Sequence, residues 1–463
     1  MPERYDVAII GAGTGGYACA LRAAELGLRV LLIERDERLG GTCLLRGCIP
    51  TKALLRSAEV MDNIRRSEEW GIKSSGEPDW PGVQRFQKRV VDKLVSGVTG
   101  LVKTRGIEVR RGTATLGSEP RLQVDGKAVD ASNVVIATGS SPRLLPGVSV
   151  SNRVITSDQA LTRSSIPSSA IVIGAGAVGL EFASFYRSMG AEVTVLEGLD
   201  RIAPLEDEDI SKELARAYRK RGISTTAGVK VTGVEDGDDG ATVTYEAGGA
   251  KQGRAQTTSA EIALVAIGRG PNTEDLGLEE AGVELDRGFV KVNGSMSTTA
   301  EGVWAVGDVA ATPLQLAHVS FAEGIGTAER IAGQEVPEID YTGVPRVTYC
   351  TPEVASVGLT EAQAKDRGHE LDVEKYNFQA IGKANIVGEG GIVKVLAEKA
   401  GGPVLGIHMV GPHVTDLISE AMLITNWEAL PADVAALIHP HPTLSEAVGE
   451  AHLALAGKPL HSA

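Results

Sequence analysis

The sequence is poor in cysteine, in basic charge and in long apolar runs, and each shortage excludes something. Only four cysteines, Cys19, Cys43, Cys48 and Cys350, occur in 463 residues, too few for a disulfide scaffold in a chain long enough to bury its own cores. Lys and Arg number 46 against 60 Asp and Glu, a formal charge of −14, which argues against nucleic acid or an anionic membrane as partner. The most apolar stretch, residues 170 to 185, carries Glu181 and is broken by glycines; it falls short of the about 20 apolar residues of a membrane span. The opening MPERYDVAIIGAG lacks a basic segment followed by an apolar run, so no signal peptide is expected and a cytoplasmic setting is.

Glycine is abundant, at 56 residues, and it marks an internal repeat. Residues 8 to 35 (AIIGAGTGGYACALRAAELGLRVLLIER) realign without a gap on residues 171 to 198 (IVIGAGAVGLEFASFYRSMGAEVTVLEG). Gly11, Gly13 and Gly16 fall on Gly174, Gly176 and Gly179, and Glu34 falls on Glu197. Each copy reads as a buried strand, a GxGxxG turn, a helix of about four turns ended by glycine, and a second strand closed by an acid. That is a dinucleotide-binding βαβ unit. The first glycine allows the tight turn, the second lets backbone approach a pyrophosphate, and the third lets helix pack on strand. The acid suits a ribose 2′-hydroxyl and repels a 2′-phosphate. One copy alone leaves an ordinary glycine-rich turn as the lesser, competing reading, but two with both acids do not.

The rest of the chain changes texture. Residues 57 to 103 read as largely helical, VVIATGSSP (134 to 142) as a strand into a glycine turn, and 224 to 267 as a small antiparallel sheet turning at DGDDG and EAGG. EGVWAVGDVA (301 to 310) repeats the strand-then-turn pattern. From about residue 344 no nucleotide motif remains, and strands followed by amphipathic helices suggest a module that packs against another chain. The fold class expected is α/β, with two Rossmann-like dinucleotide-binding domains and a C-terminal α+β interface domain. The borders drawn are 1–147, 148–271, 272–343 for a central domain and 344–463.

Two nucleotide sites give a path for hydride, and Cys43 and Cys48, in GGTCLLRGCIPTK (40 to 52), offer an exit for the electrons. In a regular helix, residues five apart lie roughly 8 to 9 Å apart at Cα, beyond the about 4.4 to 6.8 Å of a disulfide. A bridge therefore needs an irregular segment, which Gly47 and Pro50 permit. Two ordinary cysteines, or half of a metal site, are the competing readings; no second pair or histidine cluster supports zinc, and no metal is expected. Cys19 and Cys350 stand alone and read as small core residues. Thiol exchange needs a base, and IHPHPTLSEA (438 to 447) offers His439 and His441 between prolines. Glu446 reads either as the partner of Thr443 in a capping box or as a carboxylate that orients an imidazole; the spacing favours the cap.

Taken together, GAGTGGY, GGTCLLRGCIPTK, IATGS, GAGAVGLE, IGRGPNT, VGDVA, QLAH, ASVGLTE and HPHPTLSEA resemble the pyridine nucleotide-disulfide oxidoreductases over nearly the whole chain. The branch most similar is the one that oxidises protein-bound dihydrolipoamide with FAD and NAD+ in 2-oxoacid dehydrogenase or glycine-cleavage complexes. The resemblance implies that Cys43 is the sulfur that exchanges with substrate and Cys48 the sulfur beside the flavin. It pairs Lys52 with Glu181 near the flavin, puts Asp308 on the ribityl chain, and makes His441, with Glu446, the acid/base serving the partner subunit of an obligate homodimer. It also implies cofactor contacts at Thr42, Gly139, Ala317 and Gly268, and a lipoyl group supplied by another chain. Leu45 and Arg46 depart from the Asn and Val common in the family, Thr14 and Thr51 stand where Pro and Ser are frequent, and Val319 stands where Lys is often seen. Arg46 either points to solvent or lowers a thiol pKa. Glutathione reductase shares the cysteines but uses NADPH, which Glu197 opposes. Mercuric reductase or a large thioredoxin reductase would need further C-terminal redox residues, and a scaffold flavoprotein would make the pair merely structural.

Overall fold

The computed structural model describes residues 4–118, 121–248 and 253–461. Backbone contacts divide the chain into two units: residues 1–54, 81–143 and 269–341 form one, and 55–80, 144–268 and 342–463 the other.

The first unit is built on a five-stranded parallel sheet in the order Val303–Ala305, Ala131–Ile136, Tyr5–Ile10, Val30–Glu34, Glu108–Arg111. Its central strands are apolar without alternation because both faces are covered; Val7, Ala8, Ile9, Leu31 and Leu32 are fully buried. The helix Thr14–Glu25 follows the first strand and runs for 12 residues, little more than three turns rather than four. The helix Ala317–Ile331 packs against it so closely that a Cβ on Gly324 would overlap the Gly15 carbonyl oxygen. A small antiparallel sheet, Ala114–Leu116, Leu122–Val124 and Lys127–Val129, shares a core with the parallel strands.

The second unit repeats the architecture. Its parallel sheet runs Ile223–Thr226, Glu192–Leu196, Ser169–Ile173, Ile262–Val265, Val154–Ile155. The expected antiparallel sheet is present as Val229–Asp236, Ala241–Ala247 and Ala255–Ala260, but it stops short of residue 267. Ile262–Val265 is buried at every position and joins the parallel sheet instead; a strand covered on both faces has no reason to alternate. The EAGG turn runs into residues 249–252, outside those described. The C-terminal part is an antiparallel sheet in the order Arg346–Thr348, Glu353–Gly358, Val404–Gly411, Ile392–Glu398, Leu371–Asn377. Residues of the helices Val414–Asn426 and Glu446–Leu455 join its core.

The stretch read as largely helical resolves into the helices Cys48–Arg66 and Trp80–Thr104, with a 3-10 turn at Ser67–Trp70. Among the described residues no helix is long and apolar enough to cross a membrane.

Candidate active site

The two glycine turns have the same internal geometry. Gly11 and Gly174 both sit at φ +102, where a Cβ would overlap the carbonyl oxygens of Ala137 and Ala266. A Cβ on Gly16 or Gly179 would overlap the carbonyl oxygen of Gly11 or Gly174. These four glycines are required by the protein itself. The middle glycines are not: a Cβ on Gly13 would find only Gly41 Cα, at 3.9 Å, and one on Gly176 would find nothing within 4 Å. Each is the N-cap of its helix, extended and without a side-chain cap, so the first-turn amides carry no intrahelical partner. An open cradle at a helix N-terminus fits a dinucleotide pyrophosphate.

The acids that close each unit are buried beneath these turns. Glu34 accepts from Ala12 N at 2.8 Å and Asp36 N at 2.9 Å; Glu197 accepts from Ala175 N at 2.5 Å and Leu199 N at 2.8 Å. Two of roughly four lone-pair sites are thereby used, and the remainder can take ribose hydroxyls. Each acid also clamps the glycine turn, a role the spacing alone did not reveal.

The redox segment is broken as its composition requires. Gly41–Arg46 and Cys48–Arg66 are separate helices, and Gly47 between them has φ −144 and ψ −109. A Cβ there would press on Thr42 O at 2.9 Å, while Thr51 Oγ1 donates to the Gly47 carbonyl at 2.7 Å. Cys43 and Cys48 carry thiols that hydrogen-bond to one another. That bond, burial and the charge on Cys48 raise the Cys43 pKa; nearby Lys52 opposes them and Asp308 adds to them. Cys48 is the first residue of a 19-residue helix, whose N-terminal dipole favours an anion. Lys52 follows one turn later. Tyr17, on the first nucleotide helix, stands near enough that burial and then both cysteines push its pKa up to about 12.

Arg46 ends the shorter helix and pairs with Asp36, and it is not among the larger influences on the Cys43 thiol. The side chain stays partly exposed, held by a carboxylate, which is nearer the solvent reading than the thiol one. Val319, at the position often filled by Lys, is buried.

Asp308 lies in the 3-10 turn Gly307–Val309. Ser140 Oγ donates to its Oδ2 at 2.6 Å, and Arg269 donates to Ser140 through Nε at 2.7 Å and to the Ser140 carbonyl through Nη2 at 2.6 Å. Arg269 Nη2 also reaches Thr42 Oγ1 at 3.4 Å. Arg269 and Ser140 were missed as site residues, though both lie within motifs of the resemblance, IGRGPNT and IATGS. Gly139 takes φ +70 in that second turn, and Gly268 takes φ +115 at the end of the other unit's sheet. Ala317 opens its 15-residue helix behind Leu316 as N-cap. Glu323 on that helix is fully buried; it accepts from Gly307 N at 2.7 Å and Tyr341 Oη at 2.9 Å, and burial raises its pKa to about 6.

In the second unit, Glu181 is buried on the helix Ala177–Ser188 and accepts from Tyr349 N at 3.0 Å. His441 is exposed, and its Nδ1 lies 2.9 Å from Glu446 Oε1. Glu446 Oε2 accepts from Thr443 N at 2.8 Å. The expected capping box is not formed: the helix begins at Glu446 behind Ser445, and Thr443 Oγ1 donates to Pro440 O. The carboxylate thus braces the imidazole and the preceding turn together. Burial opposes its ionisation, but the bonds from Thr443 and His441 prevail and hold it below the ordinary glutamate value. His439 faces Glu420 at 2.7 Å. Cys19 and Cys350 are fully buried, as expected of core residues. Among the described residues no His, Cys, Asp and Glu cluster could hold a metal.

Residues 5–324 match the pyridine nucleotide-disulphide oxidoreductase family, and residues 344–452 match the dimerisation domain of that family. The chain is 45% identical to a dihydrolipoyl dehydrogenase of Bacillus subtilis over the whole of both chains. It is 42% identical to one of Thermus scotoductus over 99% of each. Among solved structures it is similar to LpdA from Mycobacterium tuberculosis, with TM-score 0.88 and 27% identity over 98% of this chain and 99% of that one. The HOCl-induced flavoprotein disulfide reductase RclA of Escherichia coli, solved as a Cu(II) complex, gives TM-score 0.87 and 25% identity over 98% and 100%. The chain belongs to the pyridine nucleotide-disulphide oxidoreductase family.

Proposed function

We propose that the chain oxidises protein-bound dihydrolipoamide to lipoamide, passing the electrons through Cys43 and Cys48 and FAD to NAD+. The observation that carries this is the hydrogen-bonded thiol pair, straddling a helix break, in the unit that also holds a complete dinucleotide turn. We assign 1–147 and 272–343 to FAD, 148–271 to NAD and 344–463 to the subunit interface. Gly11, Gly13, Gly16 and Glu34, with Thr42, Gly139, Asp308 and Ala317, would hold the flavin. Gly174, Gly176, Gly179, Glu197 and Gly268 would hold the nicotinamide dinucleotide, and Glu197 selects against a 2′-phosphate.

FAD, held there, would supply the two-electron chemistry that links the dithiol to hydride transfer with NAD+. The chain's own residues do the sulfur chemistry. His441, oriented by Glu446, takes the proton of a substrate thiol, and the resulting thiolate attacks Cys43 Sγ of the oxidised pair. The Cys43–Cys48 bond breaks, and Cys48 leaves as a thiolate at its helix N-terminus. The second substrate thiol then attacks the mixed disulfide, closes the lipoamide ring and releases Cys43. Lys52 lowers the cost of charge at the pair, and the resemblance makes Glu181 its counter-ion.

The dimerisation domain makes the protein a homodimer, and the resemblance assigns His441 to the other subunit's cysteines. Exposed Leu423, Trp427, Leu437 and Ile438 in that domain are apolar surface suited to a subunit contact. A lipoyl-carrying acyltransferase or carrier protein is the partner, and the cytoplasm is the setting. Replacing Cys48→Ser is expected to leave the flavin bound and abolish lipoamide turnover; turnover that persists contradicts the assignment.

A further inference from the structure

The C-terminal sheet carries one polar row across all five strands. Its register sets Arg346 opposite Ser356, Ser356 opposite His408, His408 opposite Lys394 and Lys394 opposite Lys375; directly opposed residues share a face. Ser356, His408 and Lys394 are almost completely buried. Lys394 Nζ lies 2.8 Å from Asp207 Oδ1, 2.7 Å from Asp209 Oδ2 and 2.6 Å from Glu361 Oε2. Beside it Arg346 lies 3.7 Å from Glu206, and Lys375 3.6 Å from Asp209. Burial opposes the ammonium charge, but the three carboxylates prevail and hold its pKa above the ordinary lysine value.

A buried ion cluster is a weak device for stability, because desolvation cancels most of its attraction and an apolar cluster would serve as well. Its use lies in fixing geometry, and the geometry leads to the second glycine turn. Asp207 caps the helix Glu208–Lys220 by accepting from Asp209 N at 3.0 Å, and its carbonyl accepts from Ser211 N at 3.0 Å. Ser211 Oγ donates to Ala203 O at 3.0 Å, which also accepts from Glu206 N at 3.0 Å. Ala203, a non-glycine held at φ +46, donates to Ala175 O at 3.0 Å. Ala175 lies between Gly174 and Gly176, and Glu197 holds its N–H.

We propose that Lys394 is a positioning residue for the nicotinamide dinucleotide: from the interface domain it fixes the segment 203–211, which fixes the Gly174–Gly176 turn. The proposal rests on the reading that this turn binds NAD. Removing the charge by Lys394→Met is expected to weaken NAD+ binding to the oxidised holoenzyme roughly tenfold, the scale on which residues without ligand contact modulate binding. Isothermal titration reads the binding directly. KM for NAD+ rises in parallel, while KM for dihydrolipoamide and the flavin spectrum are unchanged. Ser211→Ala cuts the relay at one hydroxyl and should weaken NAD+ binding severalfold, so it decides the matter if Lys394→Met does not fold. Lys394→Arg should restore part of the affinity, and exposed Lys399→Met, whose partner Glu370 lies outside the cluster, should change nothing. A folded Lys394→Met or Ser211→Ala protein with wild-type NAD+ affinity overturns the proposal, whatever its thermal midpoint. Gly176→Val separates the two layers: if it leaves NAD+ binding intact, the reading of the turn fails instead.

Discussion

Replacing Gly176 by alanine separates what the fold needs from what the cofactor needs. The residue is extended, at φ −77 and ψ −178, a conformation open to any residue, and its added Cβ meets no atom of the chain within 4 Å. The cost to folding is that of a poorer helix N-cap, about 1 kcal/mol or less. The cost to binding is larger, since in the proposed NAD site the Cβ would stand where the pyrophosphate approaches; a clash of about 1.4 kcal/mol or more weakens binding about tenfold or more. Gly174→Ala behaves in the opposite sense. It forces a side chain into φ +102 and onto the Ala266 carbonyl, so its thermal midpoint falls well below that of Gly176→Ala. The assay pairs thermal unfolding with titration of NAD+ into the oxidised protein. A Gly176→Ala protein that loses as much stability as Gly174→Ala, or that binds NAD+ as the wild type does, refutes the reasoning.

Glu323 gives a pH-dependent test. Its folded pKa of about 6 lies above the unfolded value of 4.5, so the folded state prefers the protonated form and stability is lost as pH rises from the lower value through the higher. Above pH 7 the ionised group costs about 2 kcal/mol, 1.36 for each of about 1.5 units. Glu323→Gln keeps an acceptor for Gly307 N and should be as stable as the wild type near pH 4.5 and more stable by about that amount at pH 7.5; denaturation at the two pH values checks this. Arg46→Val removes an exposed ion pair with Asp36, so stability should change by less than about 1 kcal/mol. The pH dependence of the thiolate-to-flavin band should not move, and a shift in that band would restore the reading in which Arg46 lowers a thiol pKa.

The features legible in the sequence are those whose cause is local. The glycine turns can be read because each glycine answers a constraint set within a few residues or by the next strand, and the helix break in the redox segment because Gly47 sits between the cysteines. The dual use of Glu446 was half legible: its reach to the Thr443 amide follows from spacing, whereas the imidazole contact depends on how the proline-flanked segment folds back. Contacts distant in sequence left no pattern. Ser140 and Asp308 are 168 residues apart, and Lys394 and Asp207 are 187 apart. A lysine in the otherwise apolar run of the strand Ile392–Glu398 was a signal of that cluster, because a charge buried among apolar residues demands a partner. The strand Ile262–Val265 was misassigned for the converse reason: four apolar residues in a row carry no period that tells a parallel strand from an antiparallel one.

The central claim is a relay from a dithiol substrate through Cys43 and Cys48 to NAD+. Its most direct test is the anaerobic oxidation of NADH by lipoamide, with NADPH and glutathione disulfide exchanged in turn on the same flavin-loaded protein. Rapid turnover with NADH and lipoamide alone is the predicted result. Preference for NADPH or glutathione disulfide, or reduction of the flavin by NADH without any disulfide turnover, contradicts the account.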